Sequence, residues 1–237
     1  MIRLDKRIEQ IRESEKKSHT EMYSNDELYK SGSWLNKPIK TIKEITPLFK
    51  DYKKLNVLDL GCGVGRNCIY IAQEYKDIDC VVECVDILEI AIEKLYSNAN
   101  EYNVSSNICG VVKSIEEYDV QKDKYDFIIA VSALEHVESK TSFINKLIEI
   151  KEGVRKSGII CLVINSNVRE NDKLTGEKLP AQFEVNLFTT ELQNILNEIF
   201  SEWTILKSTI QEQQYDIPRE NRIIDLKSSV VSFVARK

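Results

Sequence analysis

The sequence predicts an α/β protein: a doubly wound, mostly parallel sheet, an antiparallel pair of strands at its end, and helices ahead of it. Three observations predict this. From residue 55 onward, short runs rich in Val, Ile and Leu alternate with amphipathic stretches. Those runs are almost continuously apolar, as strands covered on both faces are. The last two runs, Trp203–Ile210 and Ser228–Ala235, have no long helix between them and so pair antiparallel at the sheet edge.

The chain of 237 residues suits one domain with an added segment. Residues 1–30 are strongly charged, with Leu4, Ile8 and Ile11 at helical spacing. They form an amphipathic helix that either packs on the body or covers a site as a lid. Ser31-Gly32-Ser33 and Pro38 break this helix, and a second follows over roughly 39–50 with Ile39, Ile42, Ile45 and Leu48. Residues 1–50 are thus expected to be a helical cap on a main domain of 51–237. Strands are expected at Leu55–Leu60, Cys80–Val85, Ile108–Val112, Tyr125–Val131 and Ile159–Ile164, with helices near 66–76, 88–102 and 140–153 between them. Strand–helix alternation gives right-handed crossovers and a parallel sheet. Residues 165–187 read as irregular, carrying Asn165, Asn167, Asn171, Gly176 and Pro180, and a short helix near 189–199 follows.

Composition excludes several classes. A formal net charge of -5 argues against a bulk nucleic-acid binder, which carries a basic footprint. No apolar run reaches the ~18–20 residues of a membrane helix. The N-terminus, Met1-Ile2-Arg3-Leu4-Asp5-Lys6-Arg7, turns charged at once, unlike a secretory signal, so a cytoplasmic protein is expected. The six cysteines, Cys62, Cys68, Cys80, Cys84, Cys109 and Cys161, form no Cys-x-x-Cys pair and read as small reduced core residues. With only His19 and His136 besides, no metal site is expected.

Function is concentrated in one turn. Val57-Leu58-Asp59-Leu60-Gly61-Cys62-Gly63-Val64-Gly65-Arg66-Asn67 joins the first strand to the first helix of the sheet, at the carboxyl-end crevice where open α/β sheets bind ligands. Its glycines let the backbone turn tightly and approach a ligand. Asp86, in Val85-Asp86-Ile87, closes the second strand, where a carboxylate accepts hydrogen bonds from ribose hydroxyls. The dinucleotide fingerprint is Gly-x-Gly-x-x-Gly. Here the spacing is Gly61-x-Gly63-x-Gly65, Arg66 fills the third glycine's slot, and Asp59 precedes the turn. A pyrophosphate is poorly served by that carboxylate. A cationic ligand is well served, and S-adenosyl-L-methionine carries a sulfonium and an amino group.

The Asp-Leu-Gly-Cys-Gly-x-Gly turn and the later acid resemble class I S-adenosylmethionine-dependent methyltransferases over about residues 55–165. The resemblance implies a Rossmann-like seven-stranded sheet with a reversed last strand. It implies methionine contacts at Gly61 and Gly63, ribose contacts at Asp86, and adenine contacts at Lys113-Ser114-Ile115. Many members have Asp where this chain has Ser114, a weaker acceptor. The expected cofactor set is Asp59, Gly61, Cys62, Gly63, Gly65, Asn67, Asp86, Ile87, Ser114, Ile115, Val131 and Ser132.

A narrower similarity, to the TehB-like tellurite-resistance methyltransferases, rests on Val57–Ala72, Tyr125-Asp126-Phe127-Ile128, Lys140-Thr141, Phe188-x-x-x-Leu192, Asn221-Arg222-Ile223 and Val234-Ala235-Arg236-Lys237. It implies a catalytic role for Arg222; within the main domain, residues 165–225 are expected to contain an acceptor-side insertion. That family's upstream His-Arg pair falls near Gln214-Tyr215 and is not matched.

Methyl transfer is an in-line displacement that depends mainly on alignment. Beyond the fourth strand, Ser132-Ala133-Leu134-Glu135-His136-Val137 lies where an acceptor sits. His136 is either a base exchanging a proton near neutral pH or a packing group that closes the site. Glu135 reads as a solvated carboxylate. Arg222 either neutralises an anionic acceptor or is a surface cation. Phe183, Phe188 and Tyr215 line an acceptor pocket or belong to the core, and Tyr29 and Trp34 are candidates to close over the cofactor. The leading expectation is methyl transfer to a small acceptor such as a tellurite- or selenite-type oxyanion. A metabolite O- or N-methyltransferase, a non-catalytic cofactor-binding scaffold, and, more distantly, a nicotinamide-dependent reductase are the alternatives.

Overall fold

A computed structural model describes residues 6–219 and 221–237, apart from the side chains of Ser24 and Asn25. Leu4 and the charged start at Met1–Asp5 lie outside the described residues. Ile8 and Ile11 of the same pattern are buried on α1 (Lys6–Asn25). α2 (Lys40–Ile45) stops early and continues as a 3₁₀ turn, Thr46–Phe49. Pro47 explains the difference from the longer helix expected there, because it has no N–H to donate to the carbonyl four residues back.

The sheet then forms from β1 (Lys54–Leu60), β2 (Asp79–Asp86), β3 (Ile108–Val112), β4 (Tyr125–Val131), β5 (Val154–Asp172), β6 (Lys178–Leu179), β7 (Thr204–Arg219) and β8 (Arg222–Arg236). Between them lie α3 (Cys68–Glu74), α4 (Glu89–Glu101), α5 (Lys140–Gly153) and α6 (Thr189–Ile199). The strand order is β3-β2-β1-β4-β5-β8-β7, with the two-residue β6 off this path against β5. β1 to β5 run parallel, and β8 is antiparallel to both β5 and β7. This is the mostly parallel sheet with an antiparallel C-terminal hairpin that the sequence predicts.

Alternate side chains of the central strands feed two cores, one on each face. Val57, Phe127 and Ile129 pack with Ile69 and Leu95 on one side. Leu58, Ile128 and Ala130 pack with Phe143, Leu147 and Leu192 on the other. Burial on both faces is why these strands read as unbroken apolar runs. Ser139 caps α5, its Oγ accepting from the Ser142 N–H at 3.1 Å. Ser139→Ala should lower the unfolding free energy by about 1 kcal/mol. Denaturant midpoints test this, and an unchanged midpoint would remove the cap from the account.

Three expectations are corrected. Residues 165–172 are strand, not irregular: β5 pairs with β8 as far as Asp172↔Ile224, with a register shift between Ser166 and Arg169 where Asn167 takes φ 51°. Its polar residues are satisfied by tertiary partners, as when the buried Glu170 carboxylate receives the Arg219 guanidinium, and pairing overrides their low strand preference. The polar stretch joining the last two runs is likewise strand, since β7 and β8 pair as far as Arg219↔Arg222. Among the cysteines, all free, Cys109 is exposed because β3 is an edge strand. The other five are buried. Among the described residues no helix is long and apolar enough to cross a membrane.

Candidate active site

β1 lies between β2 and β4, and the chain winds outward to β3 before crossing back. The carboxyl ends of β1 and β4 therefore splay at a topological switch point. A cavity of about 290 Å³ occupies that crevice. The loops after successive strands build its floor: Gly61 after β1, Asp86, Ile87 and Leu88 after β2, Ser114, Ile115 and Glu116 after β3, and Ser132, Ala133 and His136 after β4. Arg12, Glu15, Lys16, His19 and Tyr23 of α1 form the facing wall, and Glu184 closes one end.

The glycine turn is fixed by its backbone. The Gly61 and Cys62 N–H groups donate to the Val85 carbonyl at 2.8 and 3.0 Å, and Gly61 adopts φ +74°. A Cβ on Gly61 would lie 2.3 Å from Ala133 Cβ, so β1 and the loop after β4 approach as closely as they do only with glycine there. At Gly63 the Tyr23 hydroxyl occupies the equivalent space, 2.9 Å from an added Cβ. Asp86 spans the turn, its Oδ2 accepting from the Gly63 N–H and its Oδ1 from the Leu88 N–H, both at 2.9 Å. Burial raises the Asp86 pKa, and those two hydrogen bonds offset part of the rise. Asp59 sits beneath the turn, fully enclosed; burial, then the neighbouring Asp86 charge, push its carboxyl up to about 7.

Opposite lies an ionisable cluster. His136 Nδ1 is 3.0 Å from Glu184 Oε2 and 3.1 Å from Glu15 Oε2. Burial disfavours the imidazolium, but the two carboxylates outweigh it and hold the pKa well above the usual histidine value. Phe183 stacks against the ring, with centroids 5.1 Å apart. Arg12 bonds Glu116 at 2.6 Å and stands 3.5 Å from Glu184 Oε1. His19 has its pKa lowered by burial. Glu135 is not solvated as expected: it is buried, its Oε1 accepting from the Asn165 backbone and side chain at 2.9 and 2.7 Å. The structure thus makes Glu135 a brace between the turn carrying His136 and β5.

Of the expected cofactor residues, Gly61, Asp86, Ile87, Ser114, Ile115 and Ser132 line the cavity together. Asp59, Cys62, Gly63, Gly65, Asn67 and Val131 do not line it. Asn67, for example, accepts from the Ile39 N–H at 3.2 Å. Arg222 lies at the β7–β8 hairpin end, half exposed, 3.7 Å from Asp172 and outside the cavity lining. Phe188 and Tyr215 are exposed, neither core nor lining. Tyr29 and Trp34 pack on Arg66 instead, the Tyr29 hydroxyl donating to its carbonyl at 2.8 Å and the guanidinium lying over the indole.

Sequence reasoning offered α1 as a lid but singled out none of its lining residues. Their signal was present: Arg12, Glu15, Lys16, His19 and Tyr23 fall at i, i+3, i+4, i+7 and i+11, a polar stripe beside the apolar one of Ile8 and Ile11.

The residues fit S-adenosylmethionine on two observations. The Gly61 turn leaves no room for a side chain, and four buried polar atoms without hydrogen-bond partners (His19 Nδ1, Asp59 Oδ2, Glu135 Oε2, Glu184 Oε1) sit in or beside the cavity. Native interiors leave few such atoms unpaired, and a cluster of them at one cavity calls for an explanation that a bound ligand supplies; the fifth, Arg236 Nε, does not line it. A family model described as "Methyltransferase domain" matches residues 51–216. The chain belongs to that methyltransferase family. The domain is of the class I, S-adenosylmethionine-dependent kind.

Three relatives bear on it. The "Ubiquinone biosynthesis O-methyltransferase" of Rickettsia felis is 35% identical over 108 residues, 45% of this chain and 41% of that protein. The chain thus matches less than half the length of that curated relative. TehB from Haemophilus influenzae superposes with TM-score 0.58 at 24% identity, over 82% of this chain and 62% of that one. A Burkholderia thailandensis 1,6-didemethyltoxoflavin-N1-methyltransferase, solved with S-adenosylhomocysteine, gives TM-score 0.58 at 15% identity over 97% of this chain and 89% of its own. These structural likenesses speak to the fold.

Proposed function

We propose that this methyltransferase moves a methyl group from S-adenosylmethionine to a small acceptor bearing a hydroxyl or an amine. One observation carries the acceptor class: four carboxylates (Glu15, Asp86, Glu116, Glu184) line the cavity against two permanent cations, Arg12 and Lys16. An anionic acceptor meets like charge there, whereas a neutral or cationic one does not. An O-methyltransferase and an N1-methyltransferase among its relatives support this.

Bound on the sheet side, S-adenosylmethionine supplies an electrophilic methyl group. Asp86 would hold the ribose, with Ile87 and Ile115 against the adenine and Ser114 and Ser132 at its edges. His136 faces the acceptor side. Its Nδ1 is engaged by Glu15 and Glu184, which fixes the ring and leaves proton exchange with an acceptor to Nε2. Within the 1–50 segment the described residues, from Lys6 on, act as the cap, and the 165–225 segment contributes Glu184 to the acceptor side.

The oxyanion reading is the second choice. The tail around Arg222 and the TehB likeness favour it, but Arg222 faces Asp172 rather than the cavity. S-adenosylhomocysteine release, followed over phenols, catechols, amines, selenite and tellurite, separates the two. Turnover is expected with a hydroxyl or amine acceptor, and oxyanions are expected to stay at background. Turnover of oxyanions alone would overturn the acceptor assignment. No cofactor binding at millimolar concentration would overturn the methyltransferase reading itself.

A further inference from the structure

We propose that Glu15, His136 and Glu184 form a binding site for a divalent metal ion of the Mn²⁺ or Zn²⁺ type at the acceptor side of the cavity. This deepens the methyl-transfer reading and rests on it for its role.

The geometry is that of a ligand set. One donor atom from each residue lies within 4.8 Å of the others, and His136 Nδ1 is 3.0 and 3.1 Å from the two carboxylates. Metal–ligand bonds of about 2.0–2.2 Å place adjacent donors of a six-coordinate ion about 3 Å apart. Two carboxylates and one imidazole are donors that such borderline-to-hard ions accept.

A proton does not complete this arrangement. Nδ1 carries one hydrogen, which points along one line, yet two carboxylate oxygens converge on it. At best that one hydrogen is divided between them in a three-centre bond, weaker to each than a bond of its own. A dication between the three satisfies both oxygens through charge and takes the imidazole lone pair as well.

A second observation points the same way. The Glu184 side chain is 1% exposed and its Oε1 accepts no hydrogen bond. His136 faces the other oxygen, Oε2, at 3.0 Å, and Arg12, 3.5 Å from Oε1, is already bonded to Glu116 at 2.6 Å. An enclosed carboxylate oxygen left without a donor is costly, and a bound cation beside it would relieve that cost.

The donors arrive on three separate segments held in place. Glu15 is on α1, His136 follows β4, and Glu184 precedes Val185, whose N–H donates to the Glu135 carbonyl at 2.9 Å. Three protein ligands leave further positions open, as catalytic metal sites do. Those positions face the same cavity as Ser132 and Asp86, so an acceptor oxygen or nitrogen would fill one of them. The expectation of no metal site weighed cysteines and histidines alone, and the carboxylates join His136 only through the fold.

The test uses the full chain and Mn²⁺ alone, with neither cofactor nor acceptor. Electron paramagnetic resonance should show one ion bound per chain, with hyperfine coupling to a single nitrogen that changes on ¹⁵N-histidine labelling. Glu15→Gln and Glu184→Gln should each weaken binding by at least the roughly 10–100-fold seen on losing a ligand's outer partner. Calorimetry with S-adenosylhomocysteine checks that the variants still fold. Should they fail to fold, the nitrogen coupling in the wild-type chain decides alone. No Mn²⁺ binding, no nitrogen coupling, or wild-type affinity in both folded variants would overturn the site. Because cofactor binding is read separately, failure of the metal site and failure of the methyltransferase reading are distinct results.

Discussion

Gly61→Ala should destabilise the domain by about 2–5 kcal/mol, combining left-handed backbone strain with overpacking. The backbone there has φ +74°, and the new methyl would start 2.3 Å from Ala133 Cβ, a rigid neighbour whose own loop is pinned by the Ser132 N–H to the Val163 carbonyl at 2.7 Å. Gly176 supplies the control. It has φ +73° with nothing within 4 Å of an added Cβ, so Gly176→Ala carries the conformational cost alone, about 1 kcal/mol. The difference between the two variants in urea or thermal unfolding isolates the approach of β1 to the loop after β4. S-adenosylhomocysteine binding should weaken in the first and persist in the second. Equal midpoint shifts would mean that the close approach is not a feature of the folded chain.

Replacing Asp59 with Asn should flatten the pH dependence of stability between about pH 4 and 7. The folded chain keeps the Asp59 proton up to about 7, because burial and then the Asp86 charge oppose ionisation. The unfolded chain gives it up near its ordinary value of 3.8. Over that window the native state binds more protons than the unfolded one, so its stability falls as pH rises and levels off above 7. At about 1.4 kcal/mol per pH unit per proton, the loss reaches about 4 kcal/mol as an upper bound. Other groups contribute slopes of their own, so the informative quantity is the wild-type minus Asp59→Asn difference, from denaturant titrations at pH 5, 6, 7 and 8. Parallel curves for the two proteins would show that Asp59 does not carry the proton.

The parts of the fold legible in sequence are those whose local pattern and tertiary role coincide. β3 and β4 match the expected runs residue for residue, and α5 and α6 begin and end where the pattern says. β4 is buried along its length, and Ser139 marks the start of α5 chemically. The C-terminal part of β5 was illegible because Ser166, Glu170 and Asp172 are polar and buried, a combination set by partners on β7 and β8 and on neighbouring loops. The site divides the same way. The glycine turn and Asp86 announce themselves because backbone conformation and strand-end position dictate residue type. Glu116 and Glu184 do not, since a charged residue in a loop looks the same whether solvated or enclosed, and only the packing of α1 decides.

The two walls of the cavity differ in kind. One is made of strand ends that the whole sheet holds in register; the other belongs largely to a single helix of 20 residues, joined to the body at the rim by polar pairs such as Ser14 with Gln182 and Arg12 with Glu116. The division falls within α1 itself. Tyr23 and His19, a few turns on, lean on the glycine turn and Asp86, whereas Arg12, Glu15 and Lys16 face away from them. Changes to those three positions would therefore alter the helical wall while leaving the strand-end one in place.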